Sequence, residues 1–201
     1  MRQDQARVGQ LLGEILESDP NRSLAHAVMG MQRLNQNRMA EAQAELEAAI
    51  ALDRNDAWAV RALGSTFNGS GQPEAAIPYF EKAIRLNPRE PYVGNAYGLL
   101  GRSHLFLGHT DQAIAFLRKA RTELPGYWEH HGALAGALGL KGDIDEARAE
   151  IEEMLKLKPE VISVARWRVI RATTGGGDPR NQALWEKTVY AGVRRAGFPE
   201  E

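Results

Sequence analysis

Apolar residues recur three or four positions apart along most of the chain, and this spacing predicts amphipathic α-helices rather than strands. The clearest apolar stripes are Val8, Leu12, Ile15 and Leu16 near the N-terminus and Leu184, Trp185, Val189, Val193 and Ala196 near the C-terminus. No segment approaches the roughly 18 consecutive apolar residues of a membrane span, and none has the pattern of a signal peptide. The pattern therefore predicts an all-α, cytoplasmic protein.

The apolar pattern repeats with a period of 34 residues. From residue 57, large apolar residues fall at repeat positions 4, 7 and 11, small residues at 8, 20 and 27, and proline at 32. Similar units begin at residues 23, 94 and 128, with a three-residue insertion at 91–93. This spacing resembles the tetratricopeptide repeat (TPR), a helix–turn–helix unit. The resemblance implies a right-handed TPR superhelix whose concave groove is lined by the first helix of each unit.

The period divides the chain into an array with two ends. We predict an N-terminal helix (1–22), four TPR units (23–56, 57–93, 94–127 and 128–161) and C-terminal capping helices (162–201). The chain opens in the middle of a repeat, which indicates either a fragment of a longer protein or a lone helix that caps the stack. Stacking is required because one unit cannot bury its apolar face alone.

Small residues, glycine and proline predict where the helices approach each other, begin and end. We expect close approach where Gly64, Gly101 and Ala135 of the first helices face Ala76, Ala113 and Ala147 of the second. The predicted ends are Gly71, Gly108 and Gly142 for first helices and Pro88, Pro125 and Pro159 for second helices. The predicted starts are Pro73 at a first helical position, Thr110 and Asp143 as N-caps, and Asp178-Pro179 after a glycine break at 174–177.

The resemblance to TPR proteins also assigns candidate partner-binding residues, because repeat positions 2, 5, 9, 12 and 13 line the concave surface in that family. These residues are Trp58, Arg61, Ser65, Asn68, Asn95, Gly98, Arg102, Phe106, Glu129, Gly132, Gly136 and Gly139. Two aromatic rings and two guanidinium groups among them suit a protein or peptide that carries carboxylates. The alternative is that these are ordinary solvated or packing side chains.

Glycines in the fourth unit form an unexpected strip. Gly132, Gly136 and Gly139 fall on one face of a predicted helix, although glycine within a helix costs about 1 kcal/mol relative to alanine. Close approach of another backbone, either that of the chain's own final helix or that of a partner, would explain them. The alternative is that the glycines have no packing role and that neighbouring helices hold the helix in place despite its lower intrinsic stability.

The sequence offers little material for catalysis. The chain has no Cys, which excludes disulfides, thiolate metal sites and a cysteine nucleophile. His26, His104 and His131 fall at packing positions, and the adjacent His130 and His131 point to different helix faces, so interhelical roles are expected. We therefore predict a protein that is not an enzyme and that has no cofactor and no metal.

Charge is unevenly distributed, although the net charge is only −1. Residues 162–198 carry seven basic and two acidic side chains, whereas the remainder is acidic. A basic end could contact an acidic protein, nucleic acid or the acidic body of a second copy in a homo-oligomer. Solvated helix faces are the default explanation of this charge, so nucleic acid is disfavoured, and nothing in the pattern indicates a membrane surface.

The last residues resemble a more specific group of proteins. The segment from Trp185 to Glu200 ends in Gly192-Val-Arg-Arg-Ala-Gly-Phe-Pro-Glu200. It is similar to the closing motif Gly-Leu-Arg-Lys-Ala-Gly-Leu-Pro-Glu of TPR arrays in bacterial class III adenylate/guanylate cyclases. The sequence thus predicts a non-catalytic protein-interaction scaffold in bacterial signalling. The alternative is the regulatory or dimerisation region of a nucleotide cyclase whose catalytic domain is outside this chain.

Overall fold

The computed structural model describes residues 2–19, 21–173 and 178–201, with side chains from residue 10 onward. Pro20, the side chain of Val8 and the predicted glycine break at 174–177 lie outside the described residues. The helices are α1 (Arg2–Ser18), α2 (Ser23–Asn35), α3 (Met39–Leu52), α4 (Ala57–Gly69), α5 (Pro73–Leu86), α6 (Val93–Phe106), α7 (Thr110–Glu123), α8 (Trp128–Lys141), α9 (Ile144–Leu157), α10 (Val164–Ala172), α11 (Pro179–Trp185) and α12 (Ala191–Arg195). A π-helical turn, Glu186–Tyr190, joins α11 to α12, so that residues 179–195 form one continuous helix, hereafter the C-terminal helix.

The helices pack as successive pairs, which confirms the predicted all-α solenoid. The pairs α2–α3, α4–α5, α6–α7 and α8–α9 are in contact, and each second helix also contacts the first helix of the next pair. First helices contact one another along one face of the stack. Within the described ranges there is no strand, and no helix has both the length and the apolar character needed to cross a membrane.

The small residues of the first helices allow close packing within each pair, but their nearest neighbours are larger than expected. A Cβ atom on Gly64 would lie 2.7 Å from the Phe80 ring, and one on Gly101 would lie 2.7 Å from Leu117 Cγ. Phe80 and Leu117 each follow, by four positions, an alanine that the sequence places opposite the glycine. The alanines are buried as predicted, and a large side chain one turn later fills the space.

Most predicted helix ends are confirmed. Gly71, Gly108 and Gly142 have φ values of 71°, 79° and 98°, and Pro73 stands at the first turn of α5. The prediction for Thr110 is wrong, because His109 is the N-cap and Thr110 is the first residue of α7. Asp143 occupies the N-cap position of α9, but its side chain makes no capping hydrogen bond.

Two histidines bridge the helices of their own repeats at equivalent positions. His26 Nδ1 lies 2.7 Å from Glu45 Oε2, and His131 Nδ1 lies 2.8 Å from Glu150 Oε2. His104 instead stacks on Phe116, with ring centroids 5.4 Å apart. These contacts agree with interhelical roles for the three histidines.

The C-terminal helix turns back along the concave face instead of extending the stack. Its N-terminal end contacts α4, where the Asn181 side-chain amide donates to the carbonyl of Asn68 at 2.8 Å. Its middle reaches α6, where Trp185 packs edge-on against Phe106. Its C-terminal part crosses α8. The helix therefore runs across the second, third and fourth predicted units.

Candidate functional site

A cleft of about 340 Å³ remains open on the concave face beside the C-terminal helix. Its walls come from α2, α4, α6 and the start of α8 on one side and from α10 and α11 on the other. The lining residues are Leu34, Asn35, Ser65, Asn68, Gly69, Leu99, Arg102, Phe106, Tyr127, Glu129, Arg171, Asn181 and Trp185. The cleft thus includes five of the residues predicted from the TPR pattern, together with residues that this pattern does not identify.

An ion pair between neighbouring first helices lies in the cleft. Arg102 Nη1 donates to Glu129 Oε2 at 2.9 Å, and both side chains are mostly buried. The Arg102 guanidinium also lies over the Trp185 ring, 5.5 Å from its centroid. Burial, followed by the charge of Glu129, raises the pKa of Tyr127, so this phenol stays protonated at neutral pH. Glu129 therefore neutralises Arg102 and leaves a protonated hydroxyl beside it.

Arg61 differs from Arg102 because no described side chain forms a salt bridge with it. Its Nε atom is buried without a hydrogen-bond partner in the described part of the chain. Burial lowers the pKa of Arg61, and the charges of Glu90 and Tyr127 act in the opposite direction. A half-buried cation of this kind gains more from an incoming carboxylate than a solvated one does, because part of its desolvation cost has already been met.

The remaining predicted residues of the second and third units have different surroundings. Trp58 is half-buried and packs on the core between the first two units, which includes Leu46 and Leu63. Asn95 is half-buried on α6. Gly98 is covered by the His130 ring, whose Cε1 would lie 2.4 Å from an added Cβ. Trp58 and Asn95 therefore remain accessible in part, whereas Gly98 provides room for a buried histidine.

The chain's own C-terminal segment covers the glycine strip of α8. Gly132 lies under Trp167 of α10, and a Cβ on Gly136 would lie 2.8 Å from the Val189 backbone. A Cβ on Gly139 would lie 2.0 Å from the carbonyl oxygen of Gly192. Of the two alternatives, Gly136 and Gly139 have the close approach, and the approaching backbone is that of the final helix, whereas Gly132 makes room for the side chains of Trp167 and Met154. These three positions are buried and do not reach a partner in this arrangement.

The C-terminal segment supplies three cleft residues that the repeat pattern does not identify, namely Arg171, Asn181 and Trp185. Arg171 is buried, donates to Asn181 Oδ1 at 2.8 Å and stacks 3.7 Å from the Trp185 ring centroid. Burial lowers its pKa. Trp185 is visible in the sequence as part of an apolar stripe, but nothing local indicates that this stripe faces the groove.

The described residues contain no group of three or more His, Asp or Glu side chains that could hold a metal ion. His130 is buried, and burial together with the charge of Arg102 lowers its pKa to about 3. His131 is held by Glu150 on the opposite side of α8, and the hydrogen bond raises its pKa. The two adjacent histidines therefore have different partners, which agrees with the prediction that they point to different helix faces.

These features define an α-solenoid of helix pairs with an open cleft on its concave face. Three tetratricopeptide-repeat family models match the sequence, at residues 28–91, 63–122 and 107–168. Together they cover most of the array, and the chain belongs to the tetratricopeptide repeat family.

Solved structures have the same fold. MamA aligns with 26% identity and a TM-score of 0.66 over 79% of this chain and 91% of its own. PilW, a type IV pilus biogenesis factor, aligns with 20% identity and a TM-score of 0.73 over 92% of this chain and 86% of its own. YrrB, described as a TPR protein with an unusual peptide-binding site, aligns with 18% identity and a TM-score of 0.62 over 92% and 91%. A search of curated protein sequences gives no significant match.

Proposed function

We propose that the protein is a non-catalytic scaffold that binds an acidic segment of a partner protein in the concave cleft. The observation that carries the proposal is Arg61 of α4, which does not line the cleft itself but lies near enough to the cleft residue Tyr127 for the two charges to interact. Its half-buried guanidinium has no salt bridge to any described residue. The same fold carries a peptide-binding site in YrrB, which supports peptide recognition as the class of function. Bacterial signalling as the setting is part of the proposal and rests on the sequence resemblance alone.

The charges around the cleft favour an anion. Three arginines lie near enough to one another for their charges to interact. The charges of Arg61 and Arg102 both lower the pKa of Tyr127. The charge of Arg102 lowers the pKa of Arg171, and that of Glu129 raises it. Glu129 is the carboxylate paired with Arg102. In a partly desolvated cleft an additional carboxylate would interact with this positive charge more strongly than at an open surface. Asp or Glu side chains on a partner segment are therefore the expected anchors.

We expect an Arg61→Glu substitution to abolish the preference of the protein for acidic peptides. The measurement is binding to an arrayed peptide library, in which the unmodified protein should enrich sequences with Asp or Glu. Reversing the charge at Arg61 places a carboxylate against the incoming one, so acidic sequences should lose at least about tenfold in affinity. The double variant with Arg102→Glu should lose no less.

Arg85→Glu is the matched control, because it makes the same charge change on an exposed face of the second helix α5. It should retain the acidic preference. An unmodified protein without acidic preference, or an Arg61→Glu variant that behaves like the control, would remove Arg61 from the site.

The second candidate function is the regulatory region of a nucleotide cyclase, which rests on the closing motif. In the structure Arg194 and Arg168 both pair with Glu200, and Val164 N donates to the carbonyl of Pro199 at 2.9 Å. These contacts hold the chain end against α10, so the motif has a structural role here with either function. A cyclase catalytic domain encoded upstream in the same reading frame would support this candidate, and a stop codon there would remove it.

A further inference from the structure

The turn between α6 and α7 brings two histidine side chains together. His104 lies in the last turn of α6, and His109 is the N-cap of α7. Residues five apart do not share a helix face, but Gly108 adopts a φ of 79° and turns the chain between them. The backbone N–H of His109 donates to the carbonyl of His104 at 2.9 Å, and the two Nδ1 atoms lie 3.5 Å apart. The two imidazoles are therefore neighbours because of the turn and not because of a helical pattern.

The separation of the two nitrogens suits a metal chelate better than a hydrogen bond. Hydrogen bonds from N–H groups in proteins span about 2.7–3.2 Å, whereas these nitrogens are 3.5 Å apart. Two imidazole nitrogens that bind one tetrahedral Zn²⁺ at about 2.0–2.1 Å are separated by about 3.3–3.4 Å. Imidazole is also a ligand that suits Zn²⁺, Cu²⁺ and Ni²⁺, whereas Mg²⁺ prefers oxygen. Only a small movement of either ring is therefore needed for both nitrogens to bind one ion.

The surroundings of His104 keep its side chain in the form that binds metals. Its ring stacks on Phe116, with centroids 5.4 Å apart and an angle of 10° between the ring planes. Burial, followed by the charge of His109, lowers the pKa of His104, and the charge of Glu81 on α5 raises it. The imidazole is therefore neutral at neutral pH, as a metal ligand must be. His109 is exposed, so an ion can reach the pair from solvent.

The other three histidines are engaged elsewhere or are shielded from solvent. His26 Nδ1 and His131 Nδ1 are each held by a glutamate of the second helix of the same pair. His131 Nε2 also lies 3.0 Å from a backbone carbonyl oxygen. His130 is only 4% exposed. His104 and His109 are therefore the histidines that an ion from solvent can bind together.

We propose that His104 Nδ1 and His109 Nδ1 together bind one divalent transition-metal ion of the class that includes Zn²⁺, Cu²⁺ and Ni²⁺. Two protein ligands leave coordination positions open, and water completes the coordination. The ion ties the end of α6 to the start of α7 and stabilises this helix pair, because it binds the folded turn more tightly than the unfolded chain. The sequence predicted no metal because it treated His104 as a packing residue. Neither histidine lines the cleft, so the site is separate from the proposed peptide recognition.

Isothermal titration calorimetry of the untagged full chain with Zn²⁺ alone tests the proposal. We expect one Zn²⁺ to bind per chain, and Mg²⁺ at the same concentration to show no binding. His109→Asn removes one ligand, and the variant should fold because asparagine is a preferred N-cap residue. It should lose at least about tenfold in Zn²⁺ affinity. An unmodified chain that does not bind Zn²⁺, or that binds Mg²⁺ equally well, would overturn the proposal.

His26→Gln is the matched control, because it removes a histidine from a different repeat. It should bind Zn²⁺ as the unmodified chain does. NMR of the imidazole groups of the unmodified chain during the same titration identifies the ligands without any variant. The signals of His104 and His109 should shift, and those of His130 and His131 should not. Equal Zn²⁺ affinity of the His109→Asn variant, or shifts confined to the other histidines, would overturn the proposal.

Discussion

A Gly192→Ala variant is expected to lose about 2 kcal/mol or more of unfolding free energy, although alanine is the better helix former. A Cβ atom at Gly192 would lie 1.8 Å from the carbonyl oxygen of Gly136, and backbone cannot rotate away as a side chain can. The C-terminal helix would have to move off α8, which would expose the fully buried Val189 and Val193. Denaturant unfolding with hydrogen exchange of α12 measures both effects.

Gly13→Ala is the matched control for this prediction. Gly13 also lies within a helix, but an added Cβ there would have no neighbour within 4 Å. Because helix propensity alone then decides, the control should gain up to about 1 kcal/mol. If the Gly192→Ala variant were more stable, like the control, the glycines between α12 and α8 would have no packing role. The backbone contact between these two helices would then be refuted.

Acidification is expected to destabilise the protein through His130. Burial lowers the pKa of this side chain to about 3 in the folded state, whereas the unfolded chain has the ordinary value of 6.5. Below pH 6.5 the unfolded state therefore binds a proton that the folded state does not, and stability falls with pH. At about 1.4 kcal/mol per pH unit, the His130 contribution amounts to a loss of about 3 kcal/mol between pH 6.5 and pH 4.

The neighbouring His131 provides an internal comparison of opposite sign. Its hydrogen bond to Glu150 raises its pKa in the folded state, so its contribution to stability is present at low pH and is lost as the pH rises through the folded-state pKa. Histidine titration by NMR should therefore show His131 gaining a proton above pH 6.5 and His130 remaining neutral at pH 4. In a His130→Gln variant the stability should decline less steeply below pH 6.5. A His130 that titrates near pH 6.5 would contradict its burial on Gly98.

The repeated part of the fold could be predicted from the sequence because its packing is local. Gly71, Gly108 and Gly142 occur at equivalent repeat positions, and the positive φ that each adopts depends on its own turn. The N-cap of α7 could not be predicted to the residue, because threonine is a preferred N-cap residue and Thr110 directly follows His109, which occupies the N-cap position in the structure. Errors of one residue at a helix start do not change the packing of the helix pair.

The path of the C-terminal helix could not be predicted, because the 34-residue period ends before it begins. The stripe that contains Trp185 indicates an amphipathic helix, but a cap on the end of the stack and a helix within the groove have the same stripe. The choice is made by contacts over long sequence distances, such as Asn181 with Asn68 and Gly192 with Gly139. The predicted binding surface therefore includes glycines that the chain itself covers, and it lacks Arg171.

The central claim is that the C-terminal helix lies along the concave face of the array, and NOE spectroscopy of the full chain tests it most directly. The rings of Trp185 and Phe106 have centroids 6.1 Å apart, and the Asn181 amide contacts the carbonyl of Asn68. We predict NOEs between the two rings and between the Asn181 side-chain amide and α4. Resonances of Trp185 and Asn181 that show NOEs only within residues 178–196, in a protein whose array is folded, would contradict the account.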